Sequence, residues 1–221
     1  MKHEIPDQIA MWNTKHGLGD HEGLRHTPSP LSLTAEPKFP RQSRILELGC
    51  GVGRDAVFFA DKGHNVLATD SSEVVIKQDR EHFPHSGVQF EVLDMQQPLP
   101  YLPASFDVVY ANLALHYYPE EKTQGIIKNI SKILKNDGVL AFACKSKDDI
   151  RTKDAQQVEN NVFVAPNGHA LHLFSISYTR QLLEGIFGIT YIDEIAEEYN
   201  GRTSDIVRCI AKNIGQNRGE L

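Results

Sequence analysis

The sequence predicts an α/β fold: a doubly wound, mostly parallel seven-stranded sheet with helices on both faces and an antiparallel C-terminal hairpin. Three observations carry that expectation. Residues Ile45 to Arg54 read Ile-Leu-Glu-Leu-Gly-Cys-Gly-Val-Gly-Arg, an apolar run that passes directly into glycines at alternate positions. A helical pattern, Gly63 and a second apolar run ending in Asp70 follow; strand, glycine turn, helix, strand and acid in that order make a nucleotide-binding half-fold. Apolar runs then keep alternating with helical patterns through five β/α units, as parallel strands joined by crossover helices do. Finally, Asn200-Gly201 separates the last two apolar runs, a hairpin signal.

Each element follows in turn. Residues 1–40 stand apart as an N-terminal arm, with 41–221 as the main domain. From Trp12 to Pro30 the arm holds Gly17, Gly19, Gly23, Pro28 and Pro30, which suits irregular backbone better than a long helix. The first strand spans Arg44 to Leu48, a helix Asp55 to Lys62, and the second strand Asn65 to Thr69. Ser71 or Ser72 caps a helix from Ser72 to Phe83, because a serine hydroxyl accepts a first-turn N–H. Gly87 turns the chain into a third strand, Val88 to Leu93, which ends in Asp94-Met95. Pro98, Pro100 and Pro103 force a loop before the fourth strand opens at Phe106-Asp107-Val108-Val109-Tyr110. Pro119 and Glu120 open a helix in which Ile126, Ile127, Ile130, Ile133 and Leu134 recur at helical spacing. Asn136-Asp137-Gly138 stops that helix, and the fifth strand is Val139 to Cys144. Residues 146–168 are polar and read as a long loop, a length that points to function or disorder. A helix from Ser177 to Phe187 and strands near Ile189 to Ile195 and Asp205 to Ala211 complete the chain.

Bulk properties exclude several functions. With 221 residues, 40% hydrophobic and 24% charged, the chain reads as one soluble globular domain. A net charge of −6 and the lack of any Lys/Arg run argue against a broad grip on nucleic-acid phosphates. Cys50, Cys144 and Cys209 are odd in number and far apart, which argues against a disulfide framework or cysteine zinc site and for a reducing compartment. His16, His21 and His26 recur every five residues, and His169 and His172 are three apart; with no carboxylate or cysteine in register, no metal is expected. No apolar stretch reaches the length of a membrane span, and the N-terminus has no signal-peptide apolar segment, so the cytoplasm is the expected location.

Glycine spacing separates two kinds of nucleotide. A dinucleotide fingerprint needs Gly-x-Gly-x-x-Gly, yet Arg54 stands where its third glycine belongs, Gly53 comes one residue early, and Glu47 precedes Gly49 by two. This Gly-x-Gly-x-Gly with an upstream acid resembles the first motif of class I S-adenosylmethionine-dependent methyltransferases, and the resemblance extends over about residues 40 to 212. Within that superfamily, Gly51 to Ala60 and Gly63 to Val66 are most similar to the tellurite-resistance and thiopurine methyltransferase group.

The resemblance implies S-adenosylmethionine as cofactor and S-adenosylhomocysteine as product. Gly49, Cys50, Gly51 and Gly53 would let the backbone approach the cofactor closely, and the helix N-terminus would offer N–H groups to its carboxylate. Glu47 would supply charge for the ammonium side. Asp70, with Ser71 beside it, would take the ribose hydroxyls. Asp94 matches the acid that contacts the adenine amino group, with Met95 against the ring. Ala111 to His116, including Asn112, resembles the fourth-strand exit over which the sulfonium lies. Arg54 pairs either with the cofactor's carboxylate or with surface acids. No Asn/Asp-Pro-Pro-Tyr/Phe signature follows the fourth strand, where Asn112-Leu113-Ala114-Leu115 stands, and this argues against amide and base N-methylation of nucleic acid.

The expected reaction is direct in-line methyl transfer to a small-molecule nucleophile, with no nucleic-acid or membrane partner. His116 is either a general base or a histidine packed at the strand exit. Trp12 is an anchor for the arm or part of a substrate lid, and Tyr117 joins Trp12 and His116 on the acceptor side. Cys50 reads as a small loop residue, since sulfonium displacement needs no enzyme thiol. Arm and post-strand loop are expected to close over the crevice at the strand carboxyl ends, so that loss of residues 1–30 damages methyl transfer more than cofactor binding. The alternatives are a non-catalytic cofactor-binding module and a methyltransferase of protein or nucleic acid; a nicotinamide-dependent oxidoreductase would need a glycine at Arg54.

Overall fold

The computed structural model describes residues 7–19, 21–146, 154–199 and 202–215. Its strands are β1 (Arg44–Leu48), β2 (Asn65–Asp70), β3 (Gln89–Val92), β4 (Phe106–Asn112), β5 (Leu134–Lys145), β6 (Gln156–Glu159), β7 (Val162–Val164), β8 (Ala170–His172), β9 (Phe187–Tyr199) and β10 (Arg202–Asn213). Seven of them form one sheet in the order β3-β2-β1-β4-β5-β10-β9, and β6-β7-β8 make a separate antiparallel sheet. In the large sheet β3, β2, β1, β4 and β5 are parallel, while β10 lies antiparallel between β5 and β9. This is the expected doubly wound class. Because β1 pairs with both β2 and β4, strand order reverses at β1, and a crevice opens at its carboxyl end.

Helices α1 (Gln8–Gly17), α2 (Pro30–Ala35), α3 (Arg54–Asp61), α4 (Glu73–His82), α5 (Glu120–Ile133) and α6 (Ile176–Leu183) pack around the sheet. Alternating side chains of each central strand feed two cores. Leu46, Leu48, Val109, Leu140 and Phe142 meet the α5 isoleucines and α6 on one face. Ile45, Val66, Val108 and Ala141 meet Phe59, Val75, Ile76 and Leu31 on the other. That strict alternation is the two-residue period of extended backbone with both faces covered.

Several expectations need correction. The arm is not irregular throughout: Asp7 accepts from Ile9 N at 3.0 Å and Ala10 N at 3.2 Å and so caps a helix of ten residues, α1. Chain 154–172 is not a plain loop but holds β6, β7 and β8; residues 147–153 lie outside the described part. Helix α5 ends at Ile133, not at Asn136-Asp137-Gly138, and β5 starts there at once, bulging between its Leu134 and Val139 pairings with β4. Asn213 stitches that bulge by donating to the carbonyls of Ser131, Leu134 and Lys135. The hairpin β9–β10 is as expected, though Asn200 and Gly201 themselves lie outside the described residues. Among the described residues no helix is long and apolar enough to cross a membrane.

The chain leaves β1 through Gly49 in the left-handed region, at φ 75°. Gly49 N and Cys50 N both donate to Thr69 O, at 2.8 and 2.9 Å, so this turn is latched to the end of β2. A Cβ on residue 49 would stand 2.6 Å from the Ala114 Cβ. Gly49→Ala should therefore destabilise the fold by about 2–4 kcal/mol, combining left-handed strain with overpacking; urea titration of the variant checks this.

Candidate active site

A cavity of about 690 Å3 lies at the carboxyl ends of β1, β2 and β4. Its floor is the turn between β1 and α3. Gly49, Gly51 and Gly53 all take positive φ, at 75°, 52° and 72°, which only glycine adopts at no steric cost. They differ in what they face. A Cβ at Gly51 would meet nothing within 4 Å, so this backbone is open to the cavity, whereas one at Gly53 would meet Phe90 Cε1 at 3.1 Å and Asp79 Oδ2 at 3.2 Å. Gly53 thus faces the packed side and is the N-cap of α3, whose first residues, Arg54 and Asp55, line the cavity.

Asp70 ends β2 and is held from two sides. Its Oδ2 accepts from Gly51 N at 3.0 Å and its Oδ1 from Ser72 N at 2.8 Å. Each oxygen keeps a lone pair for a further donor. Burial raises its pKa, against the pull of the Ser72 and Gly51 N–H groups. Asp55, in the first turn of α3, is saturated by contrast: Ser29 N, Ser29 Oγ and Tyr110 OH donate to it at 2.7, 2.7 and 2.8 Å.

Glu47 is different. It points into the cavity from β1 with 2% of its surface exposed, and its Oε2 has no hydrogen-bond partner among the described residues. Burial pushes its pKa well above the ordinary carboxylate value; the neighbouring charge of Asp55 adds to this and Arg54 opposes it. A buried carboxyl oxygen without a donor is costly unless a ligand supplies the missing charge or proton. An orphaned acid, an open glycine backbone and spare acceptors on Asp70 together fit a ligand with a cationic end and vicinal hydroxyls, as S-adenosylmethionine has.

The arm and the small sheet roof the cavity. Gln8 clamps the β7–β8 turn, donating to Gly168 O at 3.3 Å and accepting from Ala170 N at 3.1 Å. Trp12 stands at the centre of a ring cluster, 4.9 Å from Tyr117, 5.0 Å from His169 and 5.4 Å from His16. Ser72 Oγ, which caps α4, also donates to Asn13 Oδ1 at 2.8 Å and joins α1 to the cofactor side. Burial lowers the His16 pKa to about 3, helped by the charges of His21, Lys15 and Arg25, so this ring is neutral at physiological pH.

Of the residues singled out from sequence, Trp12, Glu47, Gly49, Cys50, Gly51, Arg54, Asp70, Ser71, Met95, Asn112 and Tyr117 line this one cavity. Three do not. Gly53 lies beneath the loop. Asp94 turns back on its own loop, accepting from Gln96 N at 3.0 Å and from the Gln96 amide at 3.3 Å, and Gln96 lines the cavity in its place. His116 is wholly buried and packs 4.2 Å from the Tyr117 ring; it exposes no atom with which to act as a base. Sequence reasoning missed Gln8, His16 and Asp55, and only Asp55 had a signal, as an acid in the first turn of a helix.

Residues 45–138 match the family model described as a methyltransferase domain. An uncharacterized methyltransferase of Synechocystis sp. is 26% identical over 145 residues, 66% of this chain and 62% of its own. A tRNA N(3)-cytidine methyltransferase of Danio rerio is 28% identical over 192 residues, 78% of this chain and 54% of its own. Burkholderia thailandensis 1,6-didemethyltoxoflavin-N1-methyltransferase, solved with 1,6-didemethyltoxoflavin and S-adenosylhomocysteine bound, has the same fold at a TM-score of 0.72 and 17% identity, over 96% of this chain and 93% of that one. The chain spans about half the length of the curated relatives it matches.

The isolation of Glu47 sets a pH dependence. A carboxyl whose folded pKa is raised contributes stability that is full below its unfolded value, near 4.5, and is lost as pH rises through the folded value. Ligand-free Glu47→Gln should then melt higher than the wild type at pH 8, the gap closing toward pH 4.5. Melting curves across pH test this, and a variant that melts lower at pH 8 would show Glu47 to be a stabilising group.

Proposed function

Because the chain belongs to the class I S-adenosylmethionine-dependent methyltransferase superfamily, we propose that it transfers a methyl group to a small-molecule nucleophile by direct in-line displacement. The unpartnered Glu47 oxygen on the cavity floor, beside open glycine backbone, is the observation that carries the cofactor half of this reading. When bound, S-adenosylmethionine supplies a methyl group already activated by its sulfonium.

In this reading the protein positions and excludes water. Glu47 sets its charge toward the cofactor's ammonium end, and the first N–H groups of α3 receive the carboxylate, with Arg54 alongside. The free lone pairs of Asp70 accept the ribose hydroxyls, next to Ser71. Met95 packs on the adenine ring. Asp94 acts at one remove: its bond to the Gln96 amide turns the Gln96 carbonyl toward the exocyclic amine. Asn112, Trp12 and Tyr117 face the acceptor, and the ring cluster favours an acceptor with a flat apolar face. A neutral His16 and a wholly buried His116 are poor bases, so transfer relies on alignment and on the acceptor's own nucleophilicity.

Net charge of −6 and a roof made by the arm and the β7–β8 turn support a small acceptor over tRNA. The similarity to a tRNA methyltransferase over 78% of the chain favours the second reading. Three free, buried cysteines suit a reducing cytoplasm. The residues 1–40 serve, in this proposal, as a lid on the methyltransferase domain 41–221.

Calorimetric titration with S-adenosylmethionine, S-adenosylhomocysteine and NAD tests the cofactor. Asp70→Ala should weaken S-adenosylhomocysteine binding by about 1.5–3 kcal/mol through lost charge-assisted hydrogen bonds; unchanged affinity would remove Asp70 from the site. Methyl-transfer assays on thiols, selenite, tellurite, phenols and tRNA test the acceptor, and efficient tRNA methylation would overturn the small-molecule assignment. In the same assays His116→Ala should lower kcat by less than about tenfold, where loss of a true base costs at least a hundredfold.

A further inference from the structure

We infer that Arg25, an arm residue outside the cavity, is a positioning residue that holds the glycine turn in its cofactor-binding shape through Val52 and Asp79. The inference rests on the reading of residues 49–53 as the cofactor turn. Arg25 is 2% exposed. Its Nη1 donates to the Val52 carbonyl at 3.1 Å and to Asp79 Oδ1, and its Nε donates to Glu22 Oε1 at 2.7 Å. Val52 lies between two left-handed glycines, so fixing its carbonyl fixes the peptide plane between Val52 and Gly53, where the turn passes into α3.

Asp79 comes from α4 and is fully buried directly under the turn. Its Oδ2 sits 3.2 Å from where a Gly53 Cβ would be and within 4.0 Å of the Cys50 thiol, which donates to it. Burial raises this carboxyl to about 7 even with Arg25 pulling it down. Without the guanidinium, Asp79 would be a buried acid with no cation beside it, pressed against the turn.

A glycine loses more conformational freedom on folding than any other residue, so a turn with three of them needs latches from outside. Asp70 provides one, from the cavity side, at Gly51 N. Thr69 O holds Gly49 N and Cys50 N, and Arg25 adds a latch from beneath, at Val52 O. Ser29, also in the arm, reaches Asp55 at the start of α3. The arm is therefore part of the cofactor site's frame as well as its roof, and losing residues 1–30 should weaken cofactor binding as well as methyl transfer.

The test is S-adenosylhomocysteine binding and thermal unfolding of the full chain, with Arg25→Leu, the double variant Arg25→Leu/Asp79→Leu, and Arg25→Lys. Removing both charges relieves the buried unpaired acid, so the double variant should melt close to the wild type yet bind at least about tenfold more weakly. Its KM for S-adenosylmethionine should rise, while kcat at saturating cofactor falls far less. Wild-type affinity in the folded double variant overturns the inference. Should the double variant fail to fold, Arg25→Lys decides: one ammonium cannot serve Asp79, Val52 and Glu22 together, and affinity should fall by about three- to tenfold, whereas unchanged affinity overturns the proposal. A wild-type chain that binds no S-adenosylhomocysteine would instead sink the cofactor reading beneath it.

Discussion

The left-handed turn at Gly49, Gly51 and Gly53 is the constraint on which the rest of the site depends. Its two N–H bonds to Thr69 O and its third to Asp70 tie the exit of β1 to the exit of β2. The close approach of Gly49 to Ala114 ties both to the exit of β4. Three strand ends are thereby fixed against one another by a segment with almost no side chain. The same turn starts α3 at Gly53, which decides where the unsatisfied N–H groups of that helix point. Cavity position, helix dipole and acid placement all follow from it.

Charge explains why the region is built for a ligand and not for stability alone. Glu47, Asp55, Asp70 and Asp79 are all buried around the turn. Three of them have donors: Asp55 from Ser29 and Tyr110, Asp70 from backbone N–H groups, Asp79 from Arg25. A sequence selected only to fold would give Glu47 a partner or replace it with an apolar residue. Leaving one buried acid open costs folding free energy that a bound cation can offset, a trade common at functional sites.

What the sequence disclosed follows the range of each signal. The turn, β1, α3 and β2 were legible because glycine spacing and apolar period act within a few residues, and Glu47 and Asp70 sit at fixed offsets from the turn. The capped start of α4 at Ser72 was legible for the same reason. Helix α1 was hidden by the glycines and histidines around it, since its stability comes from the Asp7 cap and from packing at Trp12 and Gln8. Strands β6 and β7 were hidden because Gln156–Glu159 is polar and both are short. That Asp94 stands back from the cavity was not legible, because its side chain folds onto Gln96, two residues on. His116 was read as either a base or a histidine packed at the strand exit, and its complete burial fits the second. The Arg25–Asp79 pair spans 54 residues and left no trace in spacing or composition.

The arm joins the two halves of the proposed reaction in one continuous segment. Gln8 and Trp12 contact the small sheet and the acceptor-side rings, while Arg25 and Ser29 contact the cofactor turn and α3. If one ligand orders this segment further, part of the entropy that the other must overcome is removed. Binding free energies are reciprocal, so each ligand would then tighten the other by the same factor. A separate lid would close on the acceptor and leave the cofactor alone. An arm rooted in the glycine turn cannot do so, because the residues that hold the roof down are continuous with those that hold the floor in shape.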